Sequence, residues 1–455
     1  MKIAGDWARL DRMKNNNTTN QNLPFTPEID GSAPLPKIGT DRIIATDRFS
    51  SPSFMDKEWP QVWRKVWNMG PRAEQLKSPG DFVIHALGRE SFIFIRDQDN
   101  QLRCFFNVCK HRGNRLIHDA VSGNRRLLKC QFHAWAWNID GTIKAVPDTF
   151  PLLADGLPCG ELDLSEVRID TWGGWVWFNI DGKAPSLVEF LGVIPEHLAP
   201  YKMEKMRLYE YKSFLWECNW KAGCDAFNES YHFRGIHPQM LKWSEAIASV
   251  ELLGEHSRMI NRYGTPSQRY INSDEVFPEL KEWMSFYGMD PEAYEGKPEN
   301  VRLAKQKYAR AMQGSTHYPY EHLRDDQLSD VYHYFVFPNV VFNTFAEGIN
   351  VFRHRPHETD PSKMYYDLLL LAHIPEDQAL SVEHRTFNAP VNYAEVFDVP
   401  QPTIITDVMQ QDADNLQFVQ AGLSSEGFKG MYLGDQELRV RHFHNTVDKY
   451  MGLEG

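Results

Sequence analysis

Two short segments that each pair a cysteine with a histidine constrain this chain more than any other feature. They are Cys109-Lys110-His111 and Cys130-Gln131-Phe132-His133, and eighteen residues separate them. Thiolate and imidazole ligands together suit zinc or an iron–sulfur centre, and a zinc site built from two loop tips is one interpretation. Free cysteines are common in protein cores but seldom fall at paired ligand spacing, so we interpret both segments as metal-binding.

The two segments differ in their internal spacing, because the first is Cys-x-His and the second is Cys-x-x-His. This asymmetric set is the ligand set of a Rieske [2Fe–2S] cluster, in which two histidines replace two cysteines on one iron. Asp140-Gly141 predicts a hairpin turn shortly after the second segment. The predicted cluster ligands are Cys109, His111, Cys130 and His133.

A second candidate metal site lies between residues 225 and 238. Asp225, Glu229 and His232 stand at positions i, i+4 and i+7. On a continuous helix over 219–235, which the sequence predicts, the three side chains would share one face.

The next histidine, His237, is five residues beyond His232, about 140° around a regular helix. Both imidazoles can reach one ion only if the helix breaks between them, and Gly235 and Pro238 supply that break. A zincin would have its histidines at i and i+4 on an unbroken helix, so this spacing counts against a metalloprotease.

A carboxylate far along the chain is the candidate third ligand. Two neutral imidazoles and one carboxylate form the facial triad of non-haem iron, which leaves positions open for O₂ and substrate. Asp412 lies at helical spacing with apolar residues, and an unpaired carboxylate there is costly to bury without a cation. A local cap or ion pair is the alternative role for Asp412, whereas Asp414 should face solvent. The apolar residues in register with Asp412 are Val408, Leu416, Val419 and Leu423.

Both constellations resemble those of the Rieske non-haem iron oxygenases, the large (alpha) subunits of aromatic-ring-hydroxylating dioxygenases. The segments "CKHRGNRL" and "CQFHAWAWNIDGTI" are similar to the family patterns C-x-HRG and C-P-Y-H-G-W. Gln131-Phe132 and Ala134 depart from the usual Pro-Tyr and Gly. The segment from Asp225 to His237 is similar to the family motif acid-x3-Asp-x2-His-x4-His, which has a distant Asp as third ligand. The resemblance covers about residues 50 to 450.

The resemblance implies a role for each matched residue. His232, His237 and Asp412 would be ligands of a mononuclear iron. Glu229 matches the family's bridging acid, which would hydrogen-bond His232 and, across a subunit boundary, His133. Most ring-hydroxylating members have Asp at that place, and some mono-oxygenating members have Glu. Asp225 matches the first acid of the motif and is a further candidate catalytic residue.

The implied fold class is α+β, with an antiparallel-β Rieske domain inserted in a helix-grip (Bet v1/START-like) catalytic domain that has a central antiparallel sheet. Short β-rich runs alternate with turn signals between about 70 and 180, which agrees with such an insertion. Ser51-Pro52 predicts the start of a helix, with Pro60 in its first turns. The expected divisions are an N-terminal arm (1–45), the first helix of the catalytic domain (46–70), the Rieske domain (71–180) and the catalytic iron domain (181–455).

The implied function is that of the terminal oxygenase of a multicomponent system. NAD(P)H electrons would arrive through a separate flavin reductase, with or without a ferredoxin, because the chain has no G-x-G-x-x-G fingerprint after a strand. The expected reaction is hydroxylation, principally cis-dihydroxylation, of an aromatic or polycyclic hydrophobic substrate with O₂. The family's fold implies a homotrimer or an α3β3 hexamer with a small beta subunit.

Three alternatives remain open. The first is a Rieske mono-oxygenase that hydroxylates or dealkylates a steroid, an amine or an ether. The second is a pure electron-transfer protein, which would leave His232, His237 and Asp412 unexplained. The third is a structural zinc protein. The pairs His354 and His357, and His442 and His444, lack a thiolate or carboxylate in register and are expected to be structural.

The composition indicates which binding partners are excluded and in which cellular compartment the protein is expected. A formal net charge of -12 argues against a nucleic-acid-binding protein. No stretch approaches the roughly 20 apolar residues of a membrane span, and the N-terminus has no apolar signal region. Six cysteines in 455 residues do not form a disulfide scaffold, so Cys104, Cys159, Cys218 and Cys224 are expected as reduced thiols. These features predict a cytoplasmic enzyme.

One basic stretch stands out in this acidic chain. Seven basic residues and one acid, Asp119, lie between residues 103 and 129. The stretch is either a set of solvated loops or a docking patch for an acidic electron donor such as a ferredoxin. The basic residues are Arg103, Lys110, Arg112, Arg115, Arg125, Arg126 and Lys129.

Overall fold

The computed structural model describes residues 44–147, 160–270, 273–398 and 404–453. The arm expected over 1–45 therefore lies outside the described residues except for Ile44 and Ala45, and so does Cys159. Three of the cysteines expected as reduced thiols are free and buried, namely Cys104, Cys218 and Cys224.

The described residues form nine α-helices and eighteen strands, numbered here in chain order. The helices are α1 Pro52–Glu58, α2 Leu187–Leu191, α3 Ile194–Leu198, α4 Trp220–Phe227, α5 Pro278–Phe286, α6 Val301–Ala311, α7 Tyr393–Val396, α8 Ile404–Leu423 and α9 Leu438–Met451. The strands are β1 Asn68–Arg72, β2 Asp81–Leu87, β3 Glu90–Arg96, β4 Leu102–Phe106, β5 Ser122–Asn124, β6 Leu128–Lys129, β7 Ala136–Trp137, β8 Ile143–Ala145, β9 Arg168–Trp172, β10 Trp175–Asn179, β11 Arg207–Trp216, β12 Ser249–Leu253, β13 His256–Asn261, β14 Val331–Val336, β15 Val340–Thr344, β16 Gly348–Pro356, β17 Met364–Ala372 and β18 His384–Phe387.

The first helix begins where the sequence predicts. Oγ of Ser51 accepts the Phe54 N–H at 3.3 Å, and proline at the first helical position needs no N–H partner. Pro60 lies beyond α1 instead of within its first turns. It sits in a π-helical turn over Trp59–Trp63, where the N–H of Arg64 donates to the carbonyl of Trp59 at 3.1 Å. Proline has no N–H to continue the α-helical ladder, so the backbone widens at this point.

The amino-terminal half is built from antiparallel hairpins, as predicted. One sheet has the order β4-β3-β2-β5, a second has β6-β7-β8, and a third has β1-β10-β9. The first cysteine–histidine segment follows β4, and the second joins β6 to β7. Both cysteines belong to the apolar core between these sheets, which also contains Phe82, Ile93, Phe105, Leu128 and Trp137.

The carboxyl-terminal half contains one eight-stranded sheet with the order β12-β13-β14-β15-β16-β17-β11-β18. Neighbouring strands are antiparallel, as predicted for the central sheet, except that the edge strand β18 runs parallel to β11. After β17 the chain crosses to the far side of β11 and reverses its direction. Because β11 is antiparallel to β17, the reversed strand β18 runs parallel to β11.

One face of this sheet carries the apolar residues that meet the helices. Phe335, Val341, Phe352 and Leu368 are direct cross-strand neighbours on β14 to β17, and all four are buried. Helix α4 packs on β16, α8 on β11 and α9 on β13. The segments that carry the candidate iron ligands are therefore held over the same sheet face.

Two arginines of β16 form hydrogen bonds that link the carboxyl-terminal half of the chain to the amino-terminal half. Nη1 of Arg353 donates to the Met69 carbonyl at 2.9 Å, and Nη1 of Arg355 donates to the Ala86 carbonyl at 3.1 Å. Both guanidinium groups also pair with the buried carboxylate of Asp367. Burial opposes its charge, but the two arginines prevail and hold the pKa of Asp367 well below its usual range.

Candidate active site and iron–sulfur centre

The helix that leads into the candidate iron site is shorter than predicted. Asn219 caps α4 by accepting the Lys221 N–H at 3.0 Å, but α4 ends at Phe227 instead of Gly235. A separate 3₁₀ turn follows over Tyr231–Arg234. Oε2 of Glu229 accepts the backbone N–H of His232 at 3.0 Å, which stabilises the start of this new turn. The continuous helical face predicted for the three side chains therefore does not exist.

Asp225 is not a member of the group of candidate iron ligands and instead bonds a histidine of α9. Nε2 of His444 on α9 donates to the Asp225 carboxylate at 3.0 Å. Nδ1 of the same ring accepts from Arg48 at 3.1 Å, so the imidazole is neutral and bridges a cation to an anion. Burial keeps the pKa of His444 below its usual value. These contacts hold Asp225 between α4 and α9, and its catalytic role stays a prediction.

The structure brings His232, His237 and Asp412 together. One ligand atom from each residue lies within 4.8 Å of the other two. Nε2 of His237 is 3.0 Å from Oδ1 of Asp412, and both side chains are buried. The backbone breaks between the histidines where the sequence predicted, because one 3₁₀ turn ends at Arg234 and the next begins at Pro238.

Each candidate histidine ligand is held through its Nδ1 atom. Oε1 of Glu229 lies 2.6 Å from Nδ1 of His232, and Oε1 of Gln411 lies 2.7 Å from Nδ1 of His237. Gln239 also donates to Gln411 Oε1 at 2.8 Å. When Nδ1–H donates, Nε2 carries the lone pair that a metal can accept. Sequence analysis missed Gln411, for which the only signal was its place beside Asp412.

The carboxylate of Glu229 sets the charge of the pair that it forms with His232. Burial favours the neutral ring, but Glu229 outweighs it and raises the pKa of His232. The two side chains are 11% and 22% exposed, so the pair reaches the protein surface beside the buried His237.

Helix α8 presents Asp412 largely as predicted. Asp412, Leu416 and Leu423 are buried on one face, and Asp414 is exposed. Val419 was expected on the buried face but is 39% exposed. A carboxylate that is buried beside two imidazoles, and that no basic side chain of the described residues contacts, fits the third position of a facial triad for iron.

The two cysteine–histidine loops share one backbone design. The N–H of Cys109 donates to the Asn114 carbonyl at 2.8 Å, and the N–H of Cys130 donates to the Trp135 carbonyl at 2.8 Å. In each loop the fourth residue after the cysteine donates back to the cysteine carbonyl at 3.0 Å. Those fourth residues, Gly113 and Ala134, both have left-handed backbones, with φ of 78° and 60°.

The side chains of the loops converge as a cluster site requires. Both cysteines are buried, and the rings of His111 and His133 are 4.6 Å apart at 80°. Nδ2 of Asn114 approaches Sγ of Cys130 at 3.7 Å, the kind of hydrogen bond that tunes cluster potentials. Two sulfur and two imidazole ligands in facing loops fit a Rieske [2Fe–2S] cluster.

Two protein families match this chain, and each match covers one of the two candidate sites. The family described as ring hydroxylating alpha subunit (catalytic domain) matches residues 202–453, which is more than half of the chain. The Rieske [2Fe-2S] domain matches residues 66–159.

Curated relatives include a component of an arene dioxygenase system and a subunit of a mono-oxygenase. The chain is 25% identical over 403 residues to the large oxygenase component of a naphthalene 1,2-dioxygenase system from Pseudomonas aeruginosa, covering 84% of this chain and 82% of the relative. It is 27% identical over 188 residues to the oxygenase subunit of a glycine betaine monooxygenase from Pseudomonas aeruginosa (strain UCBPP-PA14), covering 40% of this chain and 42% of the relative.

Solved structures share the fold across nearly the whole chain. A quaternary ammonium Rieske monooxygenase in complex with L-carnitine superposes with a TM-score of 0.62 at 16% identity, covering 92% of this chain and 100% of that one. Naphthalene 1,2-dioxygenase from Rhodococcus sp. bound to indole gives 0.62 at 18% identity, covering 91% and 95%. Among the described helices, none combines the length and apolar character needed to span a bilayer.

Proposed function

The chain belongs to the ring-hydroxylating alpha subunits of the Rieske oxygenases, and on that premise we propose that it is the terminal oxygenase of a multicomponent system. Its electrons come from NAD(P)H through a separate flavin reductase, with or without a ferredoxin. Its substrate is hydroxylated, principally by cis-dihydroxylation, on an aromatic or polycyclic hydrophobic skeleton.

The observation that carries this proposal is the convergence of His232, His237 and Asp412 to within 4.8 Å. A chain that only carried electrons would not need a second ligand group with two imidazoles and one carboxylate. A structural zinc protein would not need that group either, because structural zinc sites close all four positions with protein ligands.

The two cofactors and the protein's own residues have distinct tasks. When bound, the cluster would store and pass single electrons, and the mononuclear iron would activate O₂. Cys109, Cys130, His111 and His133 would hold the cluster, and His232, His237 and Asp412 would hold the iron. Glu229 and Gln411 accept hydrogen bonds from the Nδ1–H groups of His232 and His237 and so keep each Nε2 directed at the ion.

The proposed electron route crosses a subunit boundary at Glu229. Its carboxylate already bonds His232 and is partly exposed, so a free lone pair can meet His133 of a neighbouring subunit. This route needs a homotrimer or an α3β3 hexamer with a small beta subunit. Native mass spectrometry of the purified protein should give three copies of this chain, alone or with three small subunits, and a monomer that retains full turnover would contradict the route.

A mono-oxygenase is the second candidate, and Glu229 is the observation that favours it. The resemblance places Asp at this position in most ring-hydroxylating members and Glu in some mono-oxygenating ones. The glutamate side chain here spans the ring and the backbone of His232 at once. The product of such an enzyme would carry one atom from O₂, or its substrate would lose an alkyl group.

The loops around the cluster are the proposed docking site for the electron donor. Arg112 lies over the ring of Phe132, which is 60% exposed and packs against His133. Two of the seven basic residues are neutralised internally, since Arg103 pairs with Asp97 and Arg125 with Asp119. The other five are exposed, and Lys110, Arg112 and Lys129 are sequence neighbours of cluster ligands.

The docking test is a charge reversal of exposed residues that form no ion pair within the described parts of the chain. Arg112→Glu combined with Arg126→Glu should raise the donor's apparent KM and weaken its dependence on salt. Lys183→Glu combined with Lys144→Glu is the control, because it makes the same charge change outside the basic stretch. Equal effects of the two double variants would refute the patch.

The function test is a single turnover of the dithionite-reduced protein under ¹⁸O₂ with arenes, aromatic acids, steroids and substituted amines, followed by mass spectrometry. Two ¹⁸O atoms in a cis-diol establish the dioxygenase. One ¹⁸O atom, or release of formaldehyde, establishes the mono-oxygenase. Absence of ¹⁸O from every product of a protein that contains both cofactors would overturn the proposal.

A further inference from the structure

Two buried hydrogen-bond donors lie over the central sheet with nothing to bind. They belong to Arg439 on α9 and His333 on β14, whose residues are 0% and 4% exposed. Neither Nη1 of Arg439 nor Nε2 of His333 has a hydrogen-bond partner among the residues that the structure describes. Buried polar groups are almost always paired, so two neighbouring exceptions call for an explanation.

The contacts of the two side chains identify both free atoms as donors. Arg439 donates from Nε to Ser257 Oγ at 3.0 Å and from Nη2 to His333 Nδ1 at 3.1 Å. Because Nδ1 of His333 accepts a hydrogen bond, the ring proton resides on Nε2. Burial keeps the pKa of His333 well below its usual value, so this ring is neutral. The free Nη1 and Nε2 atoms therefore both require an acceptor.

The guanidinium of Arg439 forms no direct ion pair within the described ranges. The carboxylate of Glu229 is the one charge that acts on it there, and it raises the pKa of Arg439 without contacting the group. Burial lowers the pKa of Arg439 to about 9, so the group is still charged at neutral pH. A buried charge without a contacting partner is destabilising, and an anionic ligand in contact with the guanidinium would offset part of that penalty.

His333 lies on the sheet face that the segment carrying the candidate iron ligands packs against. His333 stands directly opposite Asn343 on β15, and Asn343 stands opposite Asn350 on β16. Both asparagines are half-buried, unlike the fully buried apolar row beside them. They share their sheet face with Phe352, whose ring lies 5.1 Å from that of Phe227, two residues before Glu229.

The segment above the sheet supplies a further unsatisfied group. Asn228 is 0% exposed, and neither its Oδ1 nor its Nδ2 has a hydrogen-bond partner in the described part of the chain. This amide lies between Phe227, which packs on the sheet, and Glu229, which bonds the candidate ligand His232. Within the described residues, polar groups without partners thus occur both on the sheet face and in the segment that carries His232.

We propose that this polar row is a subsite for a carboxylate of the substrate. Nη1 of Arg439 and Nε2 of His333 donate to the carboxylate oxygens, and Asn343 and Asn350 extend the polar wall. Phe227 and Phe352 contact the apolar body of the same molecule, which lies toward the iron. The inference rests on the proposed function, because it names the substrate class of the same active site as hydrophobic acids.

The test compares acids with their primary amides on the metal-loaded protein by titration calorimetry. The probes are acetate, benzoate and 2-naphthoate, each against its amide, so that the series covers three sizes. Hydrogen bonds to a charged group contribute roughly 1.5–3 kcal/mol, so at least one acid should bind about ten-fold or more tightly than its amide. If no acid in the series exceeds its amide, the carboxylate subsite is wrong.

Variants locate the effect. Arg439→Gln should abolish the preference for the acid, and Lys449→Gln, which removes a charge from the exposed side of the same helix, should leave it unchanged. If Arg439→Gln fails to fold, His333→Phe serves instead, because it removes the Nε2 donor and should reduce the preference. A preference for the acid that is undiminished in Arg439→Gln or in His333→Phe would also overturn the subsite.

Failure of this inference is distinguishable from failure of the proposed function. Binding of an acid through Arg439 without ¹⁸O incorporation would keep the subsite and reject the oxygenase assignment. Incorporation of ¹⁸O into neutral arenes, together with equal binding of acids and amides, would keep the oxygenase and reject the subsite.

Discussion

The carboxylate of Glu229 forms two hydrogen bonds to His232, one to its ring and one to its backbone. Its Oε1 lies 2.6 Å from Nδ1 of the ring, and its Oε2 accepts the backbone N–H of the same residue at 3.0 Å. The first contact fixes the orientation of a candidate iron ligand, and the second fixes the turn that carries it. The local fold and the proposed electron route therefore depend on the same side chain.

Replacing Glu229 by Gln separates these two tasks. The amide keeps one oxygen for the Nδ1 proton but loses the charge and the second acceptor. Both cofactors should stay bound, while turnover falls by about 10–100-fold or more, the range for partners of metal ligands. Iron content and dithionite reduction of the cluster serve as controls for steady-state turnover. A variant with normal turnover would rule out Glu229 as the bridge.

Ala134 is a strained residue in the second cluster loop. Its φ of 60° lies in the left-handed region, which costs an alanine about 1–2 kcal/mol relative to its ordinary conformations. Ala134→Gly removes this strain but adds flexibility to the unfolded chain, so we expect a net gain of roughly 0.5–1 kcal/mol. Cluster bleaching, followed by visible absorbance as urea or temperature rises, should shift to harsher conditions.

The other loop provides the matched control. Gly113 has φ of 78° at the corresponding position, and a Cβ atom there would meet nothing within 4 Å. Gly113→Ala therefore introduces the same backbone strain without a steric clash and should make the cluster easier to lose. If both substitutions change the bleaching transition in the same direction, backbone strain is not the cause.

The site residues that could be predicted from the sequence are thiolates, imidazoles and a carboxylate, which need a metal or a counter-charge when they are buried. Paired thiolates and imidazoles indicated the cluster, and a carboxylate on an apolar helix face indicated Asp412, which is 5% exposed. The end of α4 at Phe227 could not be predicted from spacing, because it depends on the contact of Glu229 with the backbone of His232. Val419 was misplaced because helical periodicity does not say how wide the covered face is.

Contacts between distant segments left no local signal. Gln411 meets His237 from 174 residues away, and Arg439 meets His333 across 106 residues. Each of these polar residues, taken alone, suits an exposed helix or strand. Only the packing of α8 and α9 over the central sheet shows that Arg439 and His333 are buried and that Gln411 is half-buried beside His237.

Gln411 should matter for iron retention. Gln411→Leu leaves Nδ1–H of the buried His237 without an acceptor, which costs about 1–3 kcal/mol and frees the ring to rotate. We expect iron affinity to fall by about 10–100-fold with little change in the cluster spectrum. Gln411→Glu retains the acceptor and should hold iron more tightly than Gln411→Leu. Competition with a chelator measures the difference, and equal iron loss from the two variants would contradict this role.

His256 should make stability depend on pH. Its Nε2–H donates to the Phe190 carbonyl at 2.6 Å, and its Nδ1 accepts the Phe337 N–H at 3.1 Å, so the buried ring must be neutral. Burial lowers its pKa to about 4, whereas an unfolded histidine titrates near about 6.5. Between these values the unfolded chain binds more protons, so its stabilising contribution is complete above about pH 6.5 and is lost as the pH falls toward 4.

Replacing His256 by Asn tests that dependence. The amide oxygen can still accept the Phe337 N–H, but the side chain no longer titrates, so the loss of stability between pH 7 and pH 4.5 should shrink by up to roughly 3 kcal/mol. Urea unfolding at several pH values measures the change. His322→Asn makes the same substitution at an exposed histidine and is the control for the chemical change itself. Parallel pH profiles for the wild type and His256→Asn would show that the buried ring is not the titrating group.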